Sequence, residues 1–287
     1  MTEPVQDEKL IRNVADTALW AAVFRAEENE RPDALFRDPL AKRLAGERGV
    51  RIEKEMKFSG SPKWPWIART VVVDQTITEE IAAGTDMVIN LAAGLDTRPY
   101  RMDLPATLTW VEIDLPGIIE YKEEMLANYK PACQLERIKL NLTDGSELRP
   151  VLAELGRRAK RALIVCEGLL VYLSRDEVAG LSSDLAAVPS FRQWILDLVS
   201  PALMQMMVKQ LGTHLEAAGS PMKFGPEEGP DFFVPYGWKP VRVQSMLHVA
   251  ARLRRLPLGL RLFALLPDKF PAKGKRPWGG ACLMARV

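Results

Sequence analysis

Cysteine and histidine are both scarce: 287 residues contain three cysteines and two histidines. Cys133, Cys166 and Cys282 are far apart, odd in number and form no C-x-x-C pair. This excludes a disulfide framework and a thiolate zinc site, and leaves free buried thiols of a reducing compartment. Net charge is almost absent as well, since 39 Lys and Arg stand against 37 Asp and Glu. Such a balance produces no bulk field for nucleic acid. No apolar run reaches the ~18 residues that a membrane span needs, because the best candidates are broken by Glu167 and Arg261. Residues 1–9 are polar and acidic, without the charged-then-apolar layout of a signal peptide. There is neither an internal repeat nor a low-complexity tract. The expectation is a cytoplasmic globular chain, one large domain or a domain plus a cap, acting on a small molecule, with no membrane and no nucleic-acid partner and an oligomeric state left open.

What is present has two parts. Up to about residue 84 the chain reads as helical: residues 13–27 and 64–83 carry apolar residues at helical spacing, and residues 31–39 form a turn-rich connector. From residue 85 strands and helices alternate. Strand candidates are 86–91, 108–113, 134–140, 161–166 and 191–198, with helices from Pro116, over 146–158 and over 175–187, the last capped by Ser174. This alternation predicts a parallel sheet with helices on both faces, and the unbroken apolar run Ala162–Val165 fits a strand buried on both sides. After residue 200 come a Met-rich helix (201–215), a Gly/Pro-rich stretch (219–229), late strands at 238–244 and 280–287, and a basic-apolar helical segment at 245–266.

In such sheets a ligand binds at the carboxyl ends of the strands, where strand order reverses. The loop after the first strand reads Asn90-Leu-Ala-Ala-Gly94-Leu-Asp96. Its small residues permit close backbone approach to a ligand, and Gly94 can take backbone angles that other residues resist; they equally suit a plain tight strand exit. Asp114, twenty residues beyond Gly94, stands where a carboxylate accepts bonds from a ribose diol. It also suits the N-cap of the helix starting at Pro116. Together the two point to an adenosine-containing cofactor. A pyrophosphate needs the G-x-G-x-x-G array at a helix N-terminus. Here positions 92 and 93 are alanine, and Thr97 replaces the last glycine. S-adenosylmethionine has no phosphate and needs only backbone approach, a ribose acceptor and partners for its amino-acid end.

Ala68-Arg-Thr70 with Asp74, Ile89-Asn-Leu-Ala-Ala-Gly-Leu-Asp-Thr-Arg98, Val111-Glu-Ile-Asp-Leu-Pro116, Asn141-Leu-Thr-Asp144, Cys166-Glu-Gly-Leu-Leu-Val-Tyr-Leu173 and Arg276-Pro-Trp-Gly-Gly280 complete the pattern. On these segments the sequence resembles the leucine carboxyl methyltransferase-like family. It is most similar to that family's bacterial branch of S-adenosylmethionine-dependent methyltransferases, which includes tetracenomycin-type O-methyltransferases. The resemblance implies a Rossmann-like class I methyltransferase: a seven-stranded, mostly parallel sheet with helices on both faces, a helical N-terminal cap over 1–84, and a core over 85–287 with a lid insertion at about 200–236. It also implies roles. Arg69 pairs with the cofactor carboxylate, to which a guanidinium fork is suited. Gly94 lies under the methionine moiety, Asp114 holds the ribose hydroxyls, Leu142 and its neighbour Asn141 flank the adenine, Glu167 sits near the amino group, Tyr172 lies near the transfer site, and Ala92 and Leu115 are further cofactor-binding residues. Without the family, Arg69 reads as a helix-surface charge and Glu167 as a strand-end carboxylate reaching water. One departure stands out: the eukaryotic members carry Asp-Leu where this chain has Asn141-Leu142, although an asparagine can still accept from and donate to adenine.

The implied chemistry is in-line displacement at a methyl carbon, which demands alignment and exclusion of water. A carboxylate acceptor arrives as an anion and needs no base, whereas a phenol profits from one. His214, in the insertion, is the candidate base or an ordinary helix-surface histidine; His248 receives no role. The scarcity of bases favours a carboxylate acceptor or simple proximity catalysis. Trp64, Trp66, Phe224, Phe232, Phe233 and Tyr236 are candidate pocket linings or plain core. The arginine-rich stretch 252–263 reads as a packed helix with solvated arginines in preference to a membrane-surface helix, because Pro257 and Gly259 interrupt it. The rivals are an NAD-dependent oxidoreductase, disfavoured by the missing glycines, and a non-catalytic S-adenosylmethionine-binding protein. Nucleic-acid methylation lacks its Pro-Cys or Asn-Pro-Pro-Tyr motif here.

Overall fold

A computed structural model describes residues 15–58, 62–217, 219 and 221–287. In chain order the elements are α1 (Ala15–Asn29), α2 (Ala41–Phe58), α3 (Trp64–Ala82), β1 (Met87–Leu91), α4 (Arg98–Arg101), β2 (Thr109–Asp114), α5 (Pro116–Leu126), β3 (Gln134–Lys139), α6 (Gly145–Arg158), β4 (Ala162–Cys166), α7 (Arg175–Ala186), β5 (Phe191–Val199), α8 (Pro201–Ala217), β6 (Trp238–Ser245), α9 (Met246–Arg252) and β7 (Gly279–Arg286). Short 3-10 turns occur at Leu170–Tyr172, Gly229–Tyr236 and Leu258–Leu265.

The strands form one seven-stranded sheet in the order β3-β2-β1-β4-β5-β7-β6. The first five pair in parallel, and β7 runs antiparallel to both β5 and β6. Order reverses between β1 and β4, whose ends are level because Leu91 pairs with Cys166. Every residue of β1 and β4 is buried, as expected for strands covered on both faces. Alternation sorts their side chains. Ile89, Leu91, Ile164 and Cys166 meet α6 and α7 on one face. Val88, Leu163 and Val165 meet Val72 and Ile77 of α3 and Val249 of α9 on the other. A third cluster joins α1, α2 and α5 through Trp20, Phe24, Leu44 and Ile119.

Helix starts follow local chemistry. Proline occupies the first turn of α5, where its missing N–H costs nothing. The Asp144 carboxylate accepts from the Ser146 amide at 2.9 Å at the start of α6. Ser174 and Glu177 close a capping box on α7, the Ser174 amide donating to Glu177 at 2.6 Å. The helix expected across 245–266 breaks: α9 stops at Arg252, Arg254 takes φ 56°, and the 3-10 turn follows Pro257. Pro257 has no amide hydrogen with which to continue a helical ladder.

Cys133, Cys166 and Cys282 are free and buried. Burial is the largest effect on each thiol, pushing Cys133 up to about 11 and Cys166 and Cys282 well above the ordinary thiol value. Alkylation by iodoacetamide near neutral pH should therefore leave all three unlabelled in the native protein and modify all three in denaturant. Fast native labelling, read by intact mass, would contradict this burial.

Candidate functional site

The carboxyl ends of β1, β2, β4 and β5 open into a cavity of about 960 Å³, placed at the reversal point where such sheets bind ligands. After β1 the chain turns through Ala92 (φ 52°) and Gly94 (φ 50°). A Cβ on Gly94 would lie 3.2 Å from the Ala18 Cβ of α1, so glycine here satisfies both the backbone angle and the packing. Ala92 tolerates the left-handed region at a cost that functional loops commonly carry.

Asp114, at the end of β2, clasps this loop. The Gly94 amide donates to Asp114 Oδ2 at 2.6 Å, and the Leu115 amide donates to Oδ1 at 2.7 Å. Each oxygen keeps a lone pair for a further donor. Burial raises the Asp114 pKa, and the two amide bonds offset only part of that rise. The Leu115 side chain lines the cavity and is largely exposed to it.

Beside the loop stands a network of arginines and acids. Arg98, on α4, is 3% exposed and donates to Asp74 at 2.6 Å, Asp96 at 2.7 Å and Glu167 at 2.5 Å. Asp96 also accepts from Asn90 Nδ2 at 2.8 Å and from the Arg98 amide at 2.9 Å. Burial alone would raise Asp96, but the charges of Arg98, Lys122 and Arg101 outweigh it and hold this carboxyl well below its ordinary range. Arg101 makes a bidentate pair with Asp74. Arg69, on α3, donates to Asp197 at 2.8 Å, stands 3.3 Å from Glu167 and stacks over Trp66 at 4.8 Å. Desolvation opposes its charge, yet Asp197 and Glu167 together raise its pKa. Its buried Nε is the atom that faces Glu167 Oε1, in an ion pair without hydrogen-bond geometry. Asp197 also accepts from the Gly168 amide at 2.6 Å. Four carboxylates (Asp74, Asp96, Glu167, Asp197) face three guanidinium groups, leaving one local negative charge.

Of the residues expected from sequence, Arg69, Ala92, Gly94, Asp114, Leu115, Glu167 and Tyr172 all line the cavity. Burial raises the Tyr172 phenol, only partly offset by a hydrogen bond to Thr17 of α1. Asn141 and Leu142 lie after β3, outside the lining. The Asn141 oxygen accepts from the Thr143 amide and hydroxyl, and Leu142 packs against the core. His214 is on α8, and its side chain lies outside the described residues. Trp64, Trp66 and Phe224 reach the cavity; Phe232 and Phe233 instead belong to the core, and Tyr236 packs against it. The sequence reading assigned no role to four residues of the site: Arg98, Arg101 and Asp197 complete the charged network, and His248 lines the cavity. Asp197 carried a visible signal, being an acid inside the otherwise apolar run of β5. Among the described residues no group of three potential metal ligands stands together.

The whole-chain fold is that of the Rossmann-like class I methyltransferases. It is similar to the structure of a "putative methyltransferase" from Thermobifida fusca YX, with TM-score 0.60 and 14% identity over 97% of this chain and 96% of that one. A DUF574 family protein from Streptomyces avermitilis gives TM-score 0.59 and 12% identity over 93% and 97%. Residues 18–186 match the family described as Leucine carboxyl methyltransferase, and the chain belongs to that family. Among its relatives, a "Putative S-adenosyl-L-methionine-dependent methyltransferase" from Parafrankia sp. is 30% identical over 259 residues, 84% of this chain and 82% of that protein. One of the same description from Mycobacteroides abscessus is 33% identical over 192 residues, 61% of this chain and 62% of that protein's length.

Replacing Arg98 by Met would strand three carboxylates. Breaking such a buried pairing costs about 3–5 kcal/mol, to be read as a lowered urea midpoint. A carboxyl whose folded pKa is depressed stabilises the fold above its unfolded pKa, about 3.9. That stabilisation drains away as pH falls from there towards the folded value. The wild type should thus lose stability below about pH 4, and the Arg98→Met curve should be flatter in that range.

Proposed function

We propose that this chain transfers a methyl group from S-adenosyl-L-methionine to an oxygen of a small molecule, a carboxylate or a phenolic hydroxyl. The observation that carries the reading is the clasp of Asp114 on Gly94 at the strand-order reversal, with Arg69 across the same cavity. The residues suit this cofactor. The open lone pairs of Asp114 accept ribose hydroxyls, and the Ala92–Gly94 turn lets the backbone approach closely. The Arg69 guanidinium, at the cavity wall, takes a carboxylate oxygen, while Glu167 and Asp197 supply negative charge for an ammonium and a sulfonium. The network's single net negative charge complements a cofactor with two positive groups and one carboxylate. When bound, the sulfonium supplies an electrophilic methyl carbon.

The protein's own part is to position and desolvate. Tyr172 stays protonated at neutral pH, because its pKa is raised, so it serves as a hydrogen-bond donor towards the acceptor. An acceptor that is already a carboxylate suits this base-poor wall. The helices α1, α2 and α3 act as the cap, with Thr17, Trp20 and Phe24 of α1 on the cavity wall. The 200–236 insertion acts as the lid through Met206, Met207, Met222 and Phe224. The buried thiols support a reducing, cytoplasmic setting. No helix among the described residues is long and apolar enough to cross a membrane.

Calorimetry with S-adenosylhomocysteine tests the reading. Saturation at a hundredfold excess over Kd should stabilise the fold by about 2.7 kcal/mol, whereas NAD should have no effect. Arg69→Ala and Asp114→Ala each remove charge-assisted bonds, worth about 1.5–3 kcal/mol, and should weaken binding roughly tenfold or more. Because the Asp114 pKa is raised, affinity should fall on acidification at a pH above the ordinary carboxylate value near 3.9. Absence of any heat with the folded protein would overturn the proposal.

A further inference from the structure

The segment Leu258–Leu265 contains no buried residue. Leu260 and Ala264 anchor it to the core under α3 and α9, which leaves its other large side chains outward. Leu258 and Leu262 are 76% exposed, Leu265 is 81% exposed, and Phe263 and Leu266 are also largely in solvent. This inverts the packed helix expected from sequence, in which leucines would face the core and arginines water. A contiguous apolar surface of this kind marks an interaction site.

Two further observations say what it meets. Residues 252–276 hold eight Lys and Arg and a single acid, Asp268, in a chain whose overall balance is +2. Arg255 is tied to Glu28 and Asp33. Asp268 accepts from the Ser245 amide and stands near His248. The other seven cations are exposed and have no ion-pair partner among the described residues. Exposed leucines flanked by unpaired lysines and arginines are the pattern of an element that lies in an anionic lipid interface. The patch is also continuous with the cavity, since Leu260, Phe263, Leu266, Lys269 and Arg276 line it. Met206 of α8, likewise exposed, lines it too.

We propose that the 258–266 segment docks the protein on an anionic membrane surface, with the cavity mouth against the lipid. If the methyl-transfer reading holds, on which this last consequence rests, the acceptor is a lipophilic molecule that enters the cavity from the bilayer. The basic rim steers the protein to anionic headgroups, and the leucine row gives the contact its apolar hold.

Cosedimentation with vesicles of phosphatidylcholine alone, or mixed equally with phosphatidylglycerol, tests this on the full chain. Wild type should pellet with the mixed vesicles, far less with the neutral ones, and less as salt rises. Lys273→Glu with Lys275→Glu should lower partitioning by roughly fivefold per lysine or more. Leu262→Glu with Leu265→Glu should abolish it while leaving S-adenosylhomocysteine affinity unchanged, which shows that the variant is folded. Wild type remaining in the supernatant with mixed vesicles at low salt overturns the proposal. So does a leucine variant that binds as wild type, or one whose effect is to split a dimer in gel filtration with no vesicle binding, which would assign the patch to a second copy. Loss of S-adenosylhomocysteine binding by wild type would sink the methyl-transfer reading and leave the docking result standing.

Discussion

The buried guanidinium of Arg98 holds the site together. It takes hydrogen bonds out to Asp74 of α3, Asp96 of the loop after β1 and Glu167 at the end of β4. Three elements from distant parts of the chain are thereby fixed at one point, beside the strand-order reversal. An ion this deeply buried is tolerated because it is surrounded by acids, and each acid is in turn tied to something else. Asp96 reaches back to Asn90, Asp74 to Arg101, and Glu167 towards Arg69. Removing the centre would leave the Arg101–Asp74 pair to hold this part of the chain to α3, with Asp96 and Glu167 no longer tied to it through Arg98.

From that centre the rest of the cavity follows. Asp114 fixes the backbone of Gly94 from the β2 side, while Arg69 approaches from α3 and stacks on Trp66. The polar end of the cavity is consequently rigid and highly charged. Its other end is built from methionine, leucine and aromatic side chains of α1, α8 and the segment before β7. Methionine adapts its shape at little cost, so this end of the wall can deform. One cavity thus combines a fixed charged pocket with a deformable apolar mouth.

Much of the fold was legible in the sequence because buried strands advertise themselves. The five parallel strands were placed within a residue or two, and Pro116 and Ser174 marked helix starts that the structure repeats. Failure came where short-range pattern and three-dimensional setting disagree. The leucines of 258–266 read as core, yet the break at Arg254 and Pro257 turns the chain into a 3-10 segment that shows them to solvent. Phe232 and Phe233 read equally as pocket lining or core, and the packing decides for core: Phe233 meets Trp194 edge-on, and Phe232 meets Phe233 edge-on.

The positions of the parallel strands, the small-residue loop after β1 and the Gly94–Asp114 spacing are properties of the sequence alone. They depend on the period of apolar residues and on backbone angles that few residue types accept. Which charges meet belonged to the tertiary structure. Arg69 and Asp197 are 128 positions apart, and Arg98 and Glu167 are 69 apart. No local pattern encodes such pairs, because an ion pair is fixed by the packing that brings two chain segments together and excludes water from between them.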